Sequence, residues 1–181
     1  MSLKLSTLAI SLGLGLALLN IYGLLNPTAF AAGARKFPRS LSWGYPLVML
    51  ATIWFLWNLK NESISDFESF KPALYALFVA VGVGTCLFVK DFLAARGLAV
   101  VMMLLAKLVV DTARWADSDW RLVLVVWAYF LVLAGMWFTI SPWRLRDLLN
   151  WSVANEKRTR VLSGVRCAFG LFIALLGFTV F

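Results

Sequence analysis

With 181 residues, 62% of them hydrophobic and only 14% charged, the chain departs in both respects from soluble domains, which are about half apolar and a quarter charged. Both departures point to lipid as the solvent. The net charge of +8 is spread over segments between apolar runs, so no compact basic domain exists to hold a nucleic acid, and the absence of histidine excludes imidazole acid–base chemistry, His-ligated haem and His-containing metal sites.

The expected fold class is an all-α integral membrane protein: a six-helix transmembrane bundle with short loops, forming a single domain over residues 1–181. The expected spans are about 5–25, 43–59, 72–89, 97–114, 121–140 and 161–181, measured against the roughly 17–25 helical residues that cross a bilayer core. The runs lack the strict alternation a barrel strand would need.

In the first run, Lys4 precedes the apolar residues and the small-residue triplet "AFA" stands before Ala32. That pattern resembles a signal peptide. At about 21 residues, the run is longer than a usual signal core and long enough to span, so it is read as the first helix. Asn26-Pro27 and Ser141-Pro142 each pair an N-cap residue type with proline at the first helical position. Lys71-Pro72 opens the third run, and Pro46 is placed in the first turn of the second. Pro38 is read as ending a short helix begun at Pro27.

Segments 26–42, 90–96 and 141–160 hold Arg35, Lys36, Arg39, Lys90, Arg96, Arg144, Arg146, Lys157, Arg158 and Arg160. The opposite side holds Lys4, Lys60, Lys71, Arg114 and Arg121. The basic excess marks the first set as cytoplasmic. Both termini then lie outside, as expected for a bacterial inner (plasma) membrane. The expected partners are membrane lipids, through anionic headgroups at these basic loops, with room for a protein partner or a homo-oligomer and none for nucleic acid. The first and third hairpins share a proline-started helix, a basic stretch and a following glycine (Gly44, Gly164), too few identities to define a repeat.

The fourth run carries the main candidate site, the intramembrane charged stripe Lys107, Asp111 and Arg114 in "LLAKLVVDTARW". Spacings of four and three place all three on one helical stripe. If the span begins at Gly97, Lys107 lies about 15 Å along the axis, near the bilayer middle, where an isolated charge costs about 2.5–3.5 kcal/mol. If it begins at Phe92, Lys107 moves toward the outer end. The functional reading is an ion or proton path, or a point that holds an anionic or quinone-like ligand. The competing reading is a self-neutralised group near a helix end. Arg166 is the secondary candidate, close enough to Arg160 to snorkel to the basic side.

Residues 142–155 are expected to form an interfacial amphipathic helix, with Leu145, Leu148, Leu149 and Ser152 on its apolar face and Trp143 and Trp151 nearby. Ala76, Ala80 and Gly84, and likewise Gly13 and Ala17, recur at four-residue spacing, which lets helices approach closely. Cys86 and Cys167 lie in apolar runs without a CxxC partner. Glu62, Asp66, Glu68, Asp117 and Asp119 could form an acidic outer rim, without calcium-loop spacing.

No nucleotide loop, catalytic triad or zinc signature is present in the sequence. No catalytic, cofactor-binding or metal-binding residue is therefore assigned, and no cofactor is expected. The expected function is a multi-pass membrane accessory or scaffold protein, or a small subunit of a membrane assembly. The alternative is a small transporter or channel lined by the charged stripe. A membrane-bound lipid enzyme ranks third, because only the Asp111 region could supply a buried acid or base.

Overall fold

The computed structural model describes residues 4–62 and 65–181, and all the regular structure among them is helical. In chain order the helices are α1 (Leu5–Leu25), α2 (Pro27–Lys36), α3 (Leu41–Asn61), α4 (Lys71–Phe88), α5 (Leu93–Ala113), α6 (Arg121–Ile140), α7 (Pro142–Ser152) and α8 (Glu156–Thr179). Short 3-10 turns cover Phe37–Arg39 and Ser65–Phe70.

Helices α1, α5, α6 and α8, together with the segment Glu68–Phe88, are each long and apolar enough to cross a membrane. α3 becomes a sixth candidate when joined to the preceding helical segment Pro27–Arg39, to which it is bent by 62°. Proline chemistry explains the bend. Pro38 sits in the 3-10 turn, and Ser40 takes an extended backbone from which its hydroxyl accepts a hydrogen bond from the Trp43 amide at 3.4 Å. That cap starts α3 earlier than the apolar run alone implies, so Pro46 lies inside the helix rather than in its first turn. Asn26 and Ser141 occupy N-cap positions before prolines, as expected, yet neither side chain makes a capping bond.

Helix α5 is the axis of the bundle, packing on α3, on α6 and more lightly on α1. One core cluster joins α1, α5, α6 and α8 through Leu8, Ala9, Val109, Leu124, Ala128 and Ile173. A second joins α5, α6 and α7 through Phe92, Ala95, Ala99, Phe138 and Leu145. The tightest seam is the antiparallel pair α1 and α8. A Cβ added at Gly13 would lie 2.5 Å from both the Ala174 amide nitrogen and the Gly170 carbonyl, and one at Gly170 would meet the Ala17 nitrogen at 2.8 Å. These helices touch backbone to backbone, as the Gly13/Ala17 spacing implied.

The second small-residue stripe behaves differently. Ala76 and Ala80 are exposed, and a Cβ at Gly84 would meet open space. Helix α4 packs chiefly on α3 through Gly82 against Thr52, and through Phe55 against Phe78 with ring centroids 4.3 Å apart. Spacing found the stripe but could not tell which side of the helix meets a neighbour.

The start of α1 and the last residues of the chain meet the α5–α6 connection, where Lys4, Leu5, Thr112, Asp117, Val180 and Phe181 surround one depression. This end is the terminal face. The other end, the basic face, gathers α2, the 3-10 turn at Phe37–Arg39, the start of α5, and α7. Arg35 ties α2 to the end of α7 by donating to the Val153 carbonyl at 3.0 Å.

Candidate functional site

The charged stripe lies at the terminal face, and its geometry follows from where α5 starts. Phe92 adopts a left-handed backbone (φ 55°) as the N-cap of α5, the one non-glycine with positive φ among the described residues. A bulky residue in that region is strained. Phe92 is nonetheless buried, packed in the second core cluster and flanked by the guanidinium groups of Arg39 and Arg146, 4.9 and 5.9 Å from its ring centroid. That packing holds the turn and starts α5 at Leu93, four residues before Gly97. Lys107 then lies 14 residues along the helix (107 − 93), or about 21 Å at 1.5 Å per residue. It sits toward the terminal face rather than at the midpoint.

Lys107 Nζ donates to Asp111 Oδ2 at 2.7 Å, one helical turn away. It also stands 3.0 Å from Glu62 Oε1 at the C-cap of α3. The result is one ammonium between two carboxylates, with side-chain exposures of 40% for Lys107, 57% for Asp111 and 55% for Glu62. The stripe therefore does not face the protein interior. Leu104, Ala106, Val109 and Ala113 occupy the buried side of this part of α5. At such exposure each pair is worth about 0.2–1 kcal/mol. The triad acts as a clasp between the ends of the parallel helices α3 and α5.

Arg114 does not join it. As the C-cap of α5 it is exposed, and its carbonyl accepts a hydrogen bond from Arg121, which also donates to the Ala116 carbonyl. Arg121 closes the end of α5, and Arg114, on the same stripe as Asp111, forms no ion pair with it. Arg166, half-buried on α8, has no ion pair or hydrogen bond among the described residues. Of the acidic rim, Glu62 binds Lys107 and Glu68 binds Lys71 at 3.1 Å, whereas Asp117 and Asp119 form no ion pair among the described residues. The side chain of Asp66 lies outside the described residues.

At the basic face, α7 buries Leu145 and Ser152 and half-buries Leu149 against the bundle. Leu148, Trp143 and Trp151 are exposed. The helix is thus seated on protein through part of its apolar face, and Leu148 belongs to the outer side instead of the side shared with Leu145. Its position one residue before Leu149 turns it by about 100° in a 3.6-residue helix.

Among the described residues, four cavities stand out elsewhere. Two flank the α3–α4 seam, at about 340 and 400 Å³. One of about 620 Å³ is the depression between the termini, and one of about 280 Å³ lies between α2 and the α7–α8 connection. None of the four is lined by Lys107, Asp111 or Arg114. No group of three or more metal-binding side chains occurs among the described residues. Cys86 and Cys167 are both free thiols. No family model, curated protein or solved structure matches the chain at a significant level.

Two charged positions take roles that the sequence does not reveal. Glu62 is 45 residues from Lys107 (107 − 62), and only the parallel packing of α3 on α5 brings them together. Arg96 reads as a loop charge in "KDFLAARG" but lies within α5 because the helix starts at Leu93.

Proposed function

We propose that the chain is a six-span integral membrane protein that serves as a non-catalytic scaffold or accessory subunit of a larger membrane assembly. In this reading the basic face lies in the cytoplasm and meets anionic headgroups. Both termini lie outside a bacterial inner membrane. The belt of bulky apolar side chains on the outer faces, such as Leu18, Ile53, Trp57, Phe88, Phe130 and Leu133, supports lipid as the surrounding solvent.

The observation that carries the scaffold reading is helix α4. Gly82 is its one buried residue, and its ridge of Ala76, Ala80 and Gly84 points away from the bundle. In a membrane such a ridge lets another helix approach closely. The charged triad fits the same reading, since it fastens two helix ends.

The test is photocrosslinking in native membranes, with a photoreactive residue at Ala80 and, as a control, at Leu133 on α6. The expected result is one discrete protein adduct from Ala80 and a diffuse or absent one from Leu133. Equal absence of protein adducts at both positions overturns the scaffold reading. The alternative, a small transporter or channel, draws on the half-exposed Lys107. It predicts ion or solute flux in vesicles that Lys107→Met abolishes.

A further inference from the structure

The smaller cavity beside the α3–α4 seam has a chemistry that the scaffold reading does not use. Its volume, about 340 Å³, lies within the roughly 300–1,000 Å³ typical of small-molecule sites. Its walls are mainly apolar, with Val48, Phe55, Phe78, Val81 and Val100 among them. Three threonines also line it, yet each hydroxyl donates to its own helix: Thr52 to the Val48 carbonyl (2.8 Å), Thr85 to Val81 (2.7 Å) and Thr139 to Gly135 (2.8 Å). Their protons are already used.

Arg96 is different. It lines the same cavity, and its Nε is buried without a hydrogen-bond partner, the one side-chain atom so placed among the described residues. A buried guanidinium N–H without an acceptor costs free energy that an incoming anion would recover. Arg96 lies one turn into α5, Thr85 near the end of α4 and Thr139 next to the end of α6, so the cationic end of the cavity is at the basic face. Phe55 and Phe78 lie deeper, well inside α3 and α4. One end therefore offers a cation at headgroup depth and the other an apolar trough.

We propose that this cleft binds one anionic glycerophospholipid, with its phosphate on the Arg96 guanidinium and one acyl chain lying along Phe55 and Phe78. The inference rests on the membrane reading above. Charge complementarity selects the occupant: a guanidinium favours a phosphate oxygen geometrically as well as electrostatically, and the rest of the cleft rewards only apolar matter. The companion cavity of about 400 Å³, on the other side of the seam, is lined by Tyr45, Met49, Ile53, Val83 and Cys86 and by no charged residue. It should accept lipid tails without regard to headgroup.

The test is native mass spectrometry of the full chain in mild detergent, titrated with phosphatidylglycerol or phosphatidylcholine of identical acyl chains. The wild type should retain one phosphatidylglycerol per chain in preference to phosphatidylcholine. Arg96→Gln should weaken that retention about tenfold or more, and Arg96→Lys should keep part of it. Val81→Trp, at the exposed lip of the cleft, should displace the tail, whereas Lys60→Gln, an exposed cation in the last turn of α3 at the opposite end, should change nothing. Equal retention of the two lipids by the wild type, or unchanged selectivity in Arg96→Gln, overturns the proposal. If Arg96→Gln does not fold, the headgroup comparison and Val81→Trp decide. Failure of the membrane reading shows separately: the wild-type chain would be released from membranes by alkaline carbonate.

Discussion

The α1–α8 seam and the α3–α4 seam join antiparallel helices of similar length by opposite means. In the first, Gly13, Ala17, Gly170 and Ala174 bring two backbones into direct contact. In the second, one contact of Gly82 with the Thr52 side chain, helped by the Phe55–Phe78 pair, holds the helices with a cavity on each side. Both helices of the loose seam carry small residues, but α4 turns most of its own outward. A small residue tightens a seam only where the facing helix also lacks bulk, because close packing needs both surfaces to recede. The tight seam closes the chain upon itself, first helix against last. The loose one leaves α4 at the margin, with its outer face uncovered.

The sharpest way to break this contrast is to place a side chain in each seam. Gly13→Val should be the most damaging change, since its Cβ meets backbone that cannot rotate aside. A loss of about 3 kcal/mol or more is expected, beyond the usual overpacking range, read as a lower melting temperature and poor yield in mild detergent. Gly82→Ala should cost about 1–2 kcal/mol, because Thr52 can turn away only by giving up its bond to the Val48 carbonyl. Gly84→Ala is the control: with open space above it and a helical backbone, it should be neutral or stabilise by up to about 1 kcal/mol. Equal damage from Gly84→Ala and Gly13→Val would erase the distinction between the seams.

The charged clasp ranks last. Lys107→Met should cost no more than about 1 kcal/mol, given the exposure of all three groups. It leaves two carboxylates together, so adding Asp111→Asn should recover part of the loss, and adding Glu62→Gln to that pair should recover the remainder. A loss of several kcal/mol in Lys107→Met would mean a desolvated site instead of a clasp.

These outcomes reflect what one sequence can show. Contacts within a helix were legible: the Lys107–Asp111 pair follows from a four-residue spacing, and the bounds of α1 and α6 coincide with their apolar runs. Contacts between helices were not. The partner Glu62 depends on parallel α3–α5 packing, and the outward ridge of α4 depends on which face α3 chose. The place of Lys107 along α5 depends on where the helix starts, and it starts after a left-handed Phe92, a residue whose side chain gives no hint of such a turn. That same start brings Arg96 from the loop into the helix, where it meets the cleft.

The claim that underlies the rest is that these helices cross a membrane with the basic face inside. Single cysteines at Ser40 and Asn155, on the basic face, and at Ser118, on the terminal face, can be tested against an impermeant thiol reagent in intact cells, with Cys86 and Cys167 replaced by alanine. Ser118→Cys should react, while Ser40→Cys and Asn155→Cys should react only after the membrane is breached. Reaction of all three in intact cells, or the reverse pattern, would contradict the account.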